Sequence, residues 1–240
     1  VMTGQPRDDT TMPFVGVNDT IRKGRQIASN VPCARNRLAP PARIAHERFG
    51  AVESLMTTAR ATMASQQTAD GPSLKEWRGG RGATRKIVPS ATGAAKAVEK
   101  GIPAPNGRLA GMAFRVPTPN VSVVDLTTRP EKPAAYEQLR VATDAASEGK
   151  LKSFLGRTEG EVVSSDMNGV APMSVFAVKA GISLNDRFAK LASWCDDGTG
   201  YSQQGAGPRC LHPSTLKLPE EKFRKETTTG LAGASGKECK

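Results

Sequence analysis

This chain has few residues suited to nucleophilic or metal chemistry: four cysteines and two histidines, which are Cys33, Cys195, Cys210, Cys239, His46 and His212. No two cysteines have the Cys-x-x-Cys spacing of zinc sites, and the pair Cys210 and His212 is too small a set to hold a structural ion. We therefore predict no metal site. Because no secretory leader is recognisable, we expect reduced thiols and a cytoplasmic location.

The charge balance is strongly basic, with 34 Lys and Arg against 23 Asp and Glu and a formal net charge of +11. Such a positive net charge can favour binding to nucleic acid, anionic membranes or anionic substrates. The densest basic segment, residues 78–86, has one adjacent aromatic residue, Trp77, which favours a solvated face or an anionic-substrate pocket over a nucleic-acid module. No apolar stretch approaches the roughly 20 residues needed to cross a bilayer, so we expect no membrane partner.

The predicted helices and strands that would position these residues do not follow a regular strand–helix–strand order. Pro133 and Gly149 delimit a helix over 134–147 with Leu139, Val141 and Ala142 on its apolar side, and Gly50 ends a helix over 42–49. Residues 92–98 predict a short helix, and 69–90 a long ordered loop. Strand-like runs occupy residues 12–17, 51–58, 112–116, 121–126, 161–165, 175–178 and 184–194, the last interrupted by a turn at 185–186. This order favours an α+β fold with helices on one face of a sheet.

Many collinear blocks of the sequence resemble glyceraldehyde-3-phosphate dehydrogenase. The chief ones are Ser29-Asn30 with Cys33 and Asn36, residues 55–58, 70–73, 77–83, 92–96, 111–122, 184–186 and 193–194, and Gly200-Tyr201-Ser202. The resemblance runs from about residue 1 to 202. It implies a mixed, largely antiparallel sheet with helices on one face, as in the catalytic domain of that family.

The resemblance also divides the chain into three parts. Residues 1–28 are expected to be a remnant of the NAD-binding Rossmann domain, and 29–202 the catalytic domain. Residues 203–240 resemble nothing in the family and have no helical or strand period, so we expect a disordered tail. No Gly-x-Gly-x-x-Gly fingerprint follows a strand, which predicts no tight NAD binding.

The family oxidises an aldehyde through a cysteine thioester, and the resemblance assigns the nucleophile to Cys33. Arg60 occupies the position of the family's catalytic His. Imidazole can take and return a proton near neutral pH, whereas guanidinium stays protonated. Losing a general base typically costs roughly 10²–10⁴-fold in rate. We therefore predict a thiol that reacts with an alkylating reagent but does not turn over.

The anion sites implied by the resemblance are altered as well. The hydroxyl positions flanking the nucleophile are Pro32 and Ala34, and the Thr three residues after the catalytic position is Met63. Thr92, Gly93 and Arg115 remain as phosphate ligands. Each lost hydrogen bond to a charged group is worth about 1.5–3 kcal/mol, so the sequence predicts weakened binding of phosphate and glyceraldehyde 3-phosphate.

The nicotinamide position is changed too. The family's Asn that orients the nicotinamide is Asp197, which exchanges a donor–acceptor amide for an acceptor-only carboxylate. Tyr201 nearby is retained.

Three interpretations stay open at this point. The chain is a degenerate and catalytically impaired dehydrogenase, an active enzyme that obtains a base and a cofactor site elsewhere, or a non-catalytic interaction protein. The interaction protein would be a subunit partner of intact dehydrogenase, in homo- or hetero-oligomers, or a basic RNA binder with a steep salt dependence.

Overall fold

Helix α1 (Cys33–Phe49) opens the part of the chain that can be described. The computed structural model describes residues 33–74, 76–94, 98, 107–149, 151–152 and 154–199, with the backbone alone for 33–37. The helix begins nine residues before the predicted 42–49 segment and continues through Pro40 and Pro41. It ends at Gly50, whose φ of +67° favours glycine and whose N–H donates to the His46 carbonyl at 2.9 Å.

In the described part of the chain, eight strands form one mixed sheet in the order β2-β3-β1-β4-β8-β6-β5, with β7 also paired to β8. The β1–β3 and β5–β6 pairs are parallel and the other five pairs are antiparallel. The predicted α+β fold with a mixed, largely antiparallel sheet is therefore confirmed. The strands are β1 (Ala51–Arg60), β2 (Val88–Ser90), β3 (Leu109–Arg115), β4 (Ser122–Pro130), β5 (Leu155–Thr158), β6 (Ser174–Ala177), β7 (Ile182–Asn185) and β8 (Phe188–Cys195).

Helices α1 and α2 (Tyr136–Glu148) cover the same face of this sheet, here called the helix face. Alternate residues of the central strands point to it and are buried, for example Met56, Leu126 and Leu191. They pack with Leu38 of α1 and Leu139 of α2 in a single apolar cluster. The opposite side, here called the open face, bears the other alternate residues of each strand. It is exposed at Leu55, Met112 and Phe188, but near Trp194 it is covered by a second apolar cluster that contains Met167 and Val175.

Two predictions about individual elements are wrong. Residues 161–165 form no strand: Ser164–Met167 is a 3-10 turn, and the neighbouring strand is β5 at Leu155–Thr158. The Val163 N–H donates to Asp166 Oδ2 at 2.8 Å, so a local side-chain bond replaces a ladder bond. Within α2, Val141 is exposed and Thr143 is buried instead, where its hydroxyl donates to the Leu139 carbonyl at 2.8 Å.

The predicted long loop 69–90 is ordered by bonds within itself. It contains a 3-10 turn, Trp77–Gly80, and ends in β2. The Gly82 N–H donates to Asp70 Oδ1 at 2.7 Å, and Asp70 also pairs with Lys86. The predicted strand at 12–17 and the segments 1–28 and 203–240 lie outside the described residues. Within the described part, no helix is long and apolar enough to span a membrane.

Candidate active site

The end of β1 brings Arg60 between two other polar residues of the sheet. Arg60 pairs directly with Arg115 of the parallel strand β3. The antiparallel register of β1 and β4 pairs Ala59 with Val123, which puts Ser122 opposite Arg60 on the other side. Because strand residues alternate between faces, Arg115, Arg60 and Ser122 all lie on the helix face, in one row across three strands.

The two arginines thus form a concentrated positive charge. Paired residues of neighbouring strands lie about 4.7–4.9 Å apart, and like charges at such positions repel. Arg115 Nη1 donates to the Ala61 carbonyl at 3.1 Å, which holds its guanidinium beside the end of β1. Among the described residues, no carboxylate forms an ion pair with Arg60.

Ser122 links the end of β1 to Asp197, the residue that the resemblance places at the nicotinamide position. Its hydroxyl donates to Asp197 Oδ2 at 2.7 Å and accepts the Ala61 N–H at 3.3 Å. Ser122 is buried and Asp197 half-buried. One serine hydroxyl therefore joins Asp197 to the backbone N–H of the residue that follows Arg60.

Asp196 holds the segment that carries Asp197. Its Oδ1 accepts the N–H groups of Gly198 and Thr199 at 2.8 and 2.7 Å, and its Oδ2 accepts the Gly169 N–H and Asn120 Nδ2, both at 2.9 Å. Burial raises the pKa of this carboxyl, but the three backbone N–H bonds and the Asn120 amide outweigh burial and leave the pKa below its usual value. Asp196 is thus a charged anchor for the end of β8.

Asn120 completes this anchor from the start of β4. Its side-chain oxygen accepts the Asp197 N–H at 3.2 Å, while its amide nitrogen binds Asp196. Val121, between Asn120 and Ser122, has a φ of +66°, a conformation that costs a β-branched residue about 1–3 kcal/mol. This turn lets Asn120 and Ser122 reach consecutive aspartates.

Three buried polar atoms near Arg60 have no hydrogen-bond partner within the described part of the chain: Arg60 Nε, Thr58 Oγ1 and Ser193 Oγ. Thr58 precedes Arg60 by two positions on the same face, and Thr58 and Ser193 both pair with Val124. The buried thiol of Cys195 donates to the Ser122 carbonyl at 3.1 Å. Among the described residues, this end of the helix face therefore holds several buried polar atoms that lack a hydrogen-bond partner.

Cys33 is the first residue of α1, the position expected for the nucleophile, because N–H groups at a helix start favour a thiolate. Its side chain lies outside the described residues, as do Pro32, the side chain of Ala34 and all of Tyr201. His46, the one histidine among the described residues, is 13 residues further along α1 than Cys33, roughly 20 Å away at 1.5 Å per residue. It is therefore too far from Cys33 to act as its base.

Thr92 is placed apart from Arg115. Its hydroxyl accepts the Ala94 N–H at 3.2 Å, so it caps the predicted short helix, of which Ala94 and Val98 are described. Thr92 lines a cavity of about 520 Å³ together with Leu109 and Gly111, whereas Gly93 is exposed. Arg115 does not line this cavity, and Gly111 precedes Arg115 by four residues of β3, or roughly 13 Å.

Met63 lies just beyond β1, exposed, with its N–H donating to Gln66 Oε1 at 2.9 Å. A thioether provides no hydrogen-bond donor there. The basic loop residues Arg78, Arg81 and Lys86 line a separate cavity of about 370 Å³. In the described part of the chain, no three His, Cys, Asp or Glu residues are grouped in a way that could hold a metal ion.

Comparison with known protein families identifies the family of this chain. The C-terminal domain model of glyceraldehyde 3-phosphate dehydrogenase matches residues 32–197. The chain belongs to this family. The sequence resemblance that pointed to it is therefore confirmed.

Individual relatives are similar over a shared stretch of 204 residues. The chain is 63% identical to a cytosolic glyceraldehyde-3-phosphate dehydrogenase of Leishmania mexicana and 61% identical to that of Trypanosoma brucei brucei. It is 58% identical to glyceraldehyde-3-phosphate dehydrogenase A of Escherichia coli K12. The stretch is 85% of this chain and 62% of each relative, so the chain spans less than two thirds of their length.

Sequence reasoning missed Ser122, Asn120 and Asp196 as parts of the site. Asn120 and Ser122 stand in a block that resembles the family, but nothing in their spacing showed that they reach two consecutive aspartates about 75 positions later. Only the β4–β8 pairing brings them together.

Proposed function

We propose that this chain is a glyceraldehyde-3-phosphate dehydrogenase-like catalytic domain, related to a glycolytic oxidoreductase, in which aldehyde oxidation is impaired. The observation that supports this most is Arg60 at the end of β1, in one row with Arg115 and Ser122 on the helix face. By family resemblance this is where a general base is needed. A cytosolic location, as in the names of two relatives, is part of the proposal.

The chemical step that remains possible at this site is nucleophilic attack by Cys33. Its thiolate attacks the aldehyde carbon, and the hydroxyl of the resulting adduct must lose a proton before that carbon can be oxidised. Arg60 cannot accept this proton, because a guanidinium has five donors and no acceptor. Its charge stabilises a thiolate, so attack by Cys33 stays possible while the later proton transfer is slow.

The residues present fit NAD only in part. NAD accepts a hydride when bound, and its nicotinamide carboxamide has both a donor and an acceptor. Asp197 offers acceptor oxygens alone, one of them already bonded to Ser122 at 2.7 Å. It can therefore accept the carboxamide N–H but cannot donate to the carbonyl, and we propose weak nicotinamide orientation in this chain.

An activated ester tests the proposal without NAD. Cys33 attacks p-nitrophenyl acetate, the nitrophenolate leaves, and the chain stays acylated until water removes the acetyl group. We expect about one equivalent of nitrophenolate followed by negligible turnover, and steady turnover at least 100-fold faster in Arg60→His. Arg187→His, in the exposed β7–β8 turn, is the matched control and should behave like the unmodified chain.

Two outcomes would contradict the proposal. Rapid steady turnover by the unmodified chain would show that Arg60 is no obstacle. An absent burst in a folded chain, together with slow alkylation of Cys33 by iodoacetamide at pH 7, would show that the thiol is not activated.

A second role, association with another copy of a dehydrogenase-like chain, is favoured by the open face. Five large apolar side chains are exposed there, on β1, β3, β7 and β8: Leu55, Met112, Ile182, Leu184 and Phe188. An apolar patch on this scale is typical of an interface.

The charges on the open face favour a like partner. Glu53 pairs with Arg129 at 2.9 Å and Asp125 with Lys190 at 2.8 Å, so charges are balanced there although the whole chain carries +11. A second copy can therefore approach without strong repulsion. Light scattering of the purified chain should show dimers that Leu55→Lys converts to monomers. Leu74→Lys, in the exposed loop, should leave the dimers intact, and a monomeric unmodified chain would exclude this role.

A further inference from the structure

We propose that the loop before β2 is a docking surface for an acidic peptide, in which carboxylates bind Arg78 and Arg81 while an apolar side chain packs on Ile87. A cavity of about 370 Å³, here called the basic cavity, is lined by Arg78, Arg81, Lys86, Ile87, Val88 and Pro89. It lies at the outer edge of the sheet, because β2 is the terminal strand and pairs with β3. Arg115 pairs with Val88 through the backbone but does not line this cavity.

The charges around the basic cavity favour a negatively charged partner. Segment 70–87 has a net charge of +3, because it contains Lys75, Arg78, Arg81, Arg85 and Lys86 against Asp70 and Glu76. Asp70 already pairs with Lys86, and with Arg81 at 3.6 Å. Arg78 forms no ion pair with another described residue, so its guanidinium is the one we expect to bind a carboxylate in bidentate form.

The apolar side of the basic cavity favours a peptide over a free anion. Ile87 is 66% exposed, and Trp77, the neighbour of Arg78, is 84% exposed. Exposed apolar side chains with charged groups around them are typical of interaction surfaces. The apolar residues that line the cavity are aliphatic, so it offers no aromatic platform for base stacking, which favours a peptide over single-stranded nucleic acid.

Side chains, and not the edge of β2, must provide the recognition. A terminal strand can in general accept an added strand from a partner. Pro89, however, is the middle residue of the three in β2 and has no backbone N–H to donate. The short edge therefore pairs poorly, and a partner depends on the charged and apolar groups of the basic cavity.

Hydrogen bonds within the loop hold its shape before a partner binds. The Gly82 N–H donates to Asp70 Oδ1 at 2.7 Å, and the Gly71 N–H donates to the Gly80 carbonyl at 2.9 Å. These bonds fix both ends of the 3-10 turn Trp77–Gly80, which contains Arg78. A preformed surface loses less conformational entropy on binding than a flexible one.

Fluorescence anisotropy of a dye-labelled peptide of alternating Glu and Leu tests the proposal on the full chain. We expect saturable binding. Arg78→Gln should weaken it about fivefold, a modest effect because each ion pair at a surface contributes little. Arg187→Gln removes the same charge from the exposed β7–β8 turn and should leave the affinity unchanged.

A second peptide, of alternating Glu and Ser, separates the apolar contact from the charges. It should bind the unmodified chain more weakly than the peptide of Glu and Leu. Ile87→Ser should weaken binding of the peptide that contains Leu and leave binding of the peptide that contains Ser unchanged. Circular dichroism confirms that each variant is folded.

Three results would overturn the proposal. The first is no saturable binding by the folded unmodified chain. The second is equal weakening by Arg78→Gln and Arg187→Gln, which would show attraction to the net charge alone. The third is binding of oligouridylate more tightly than of the peptide, with a loss in Trp77→Leu and none in Ile87→Ser, which would assign the surface to RNA. None of these measurements involves Cys33 or Arg60, so they are independent of the proposed function.

Discussion

Replacing Asp197 by Asn should cost stability, and the cost should depend on Arg60. The Ser122 hydroxyl donates to Asp197 Oδ2 at 2.7 Å. A hydrogen bond to a charged group is worth about 1.5–3 kcal/mol and a neutral one about 0.5–1.5 kcal/mol. Because Asn keeps an oxygen acceptor, the substitution loses only the difference between the charged and the neutral hydrogen bond, about 1 kcal/mol.

The charge of Asp197 also attracts Arg60, which lies opposite Ser122 in the β1–β4 register. For charges about 8 Å apart, Coulomb's law gives about 2 kcal/mol at an effective dielectric constant of 20 and about 0.5 kcal/mol in water. Both side chains are half-buried, so we take about 0.5–1 kcal/mol. Asp197→Asn should therefore cost about 1.5–2 kcal/mol in the unmodified chain, but only about 1 kcal/mol in Arg60→His at pH 8.

Urea unfolding followed by Trp194 fluorescence would measure this double-mutant cycle. The coupling free energy should be about 0.5–1 kcal/mol and should shrink in 1 M salt. Glu161→Gln, at an exposed position, is the control and should be additive with Arg60→His. Additivity of Asp197→Asn and Arg60→His within about 0.3 kcal/mol would refute the idea that the two substitutions interact.

Three further outcomes follow from other contacts. Gly181→Ala should destabilise the fold by about 1–3 kcal/mol in thermal unfolding, because an added Cβ would lie 2.7 Å from Tyr136 Cε2 and 2.8 Å from the Lys190 carbonyl. Gly71→Ala, with open space around the new Cβ, should be nearly neutral. The lowered pKa of Asp196 means that its contribution to stability is complete above the unfolded pKa of about 3.9 and is lost as pH falls through the folded value. Acid unfolding of Asp196→Asn should accordingly depend less on pH than that of the unmodified chain. Phe188→Lys, on the open face, should reduce dimers in light scattering as Leu55→Lys does.

The class of fold follows from the sequence, because turn residues and apolar runs mark most elements independently. Gly50 and Gly149 end the two helices as predicted, and residues 51–58 lie within β1. The prediction of a strand at 161–165 is wrong because its apolar pair, Val162 and Val163, is followed by Asp166, whose side chain bonds locally to the Val163 N–H. Local hydrogen bonding there outweighs strand propensity.

The site could be predicted only as separate positions. Arg60, Arg115 and Asp197 were found by resemblance, but their proximity depends on the pairing of β1 with both β3 and β4, and on Ser122. Strand register is a long-range property, because one residue of slip would move Arg60 to the open face. No local pattern in the sequence fixes that register.

The strand register also determines the combined effect of the residues at positions 60 and 197. Under the proposed function, Arg60 replaces a base and Asp197 replaces an amide, so each substitution taken singly is a loss. Placed on either side of Ser122, they add one positive and one negative charge, so the net charge of this corner is the same as with a neutral His and Asn. Under the proposed function, this pair of substitutions keeps the net charge of the corner while it removes the group that would accept a proton. The proposed function therefore predicts that these substitutions change turnover through the proton acceptor that a guanidinium lacks, and not through the net charge of the corner.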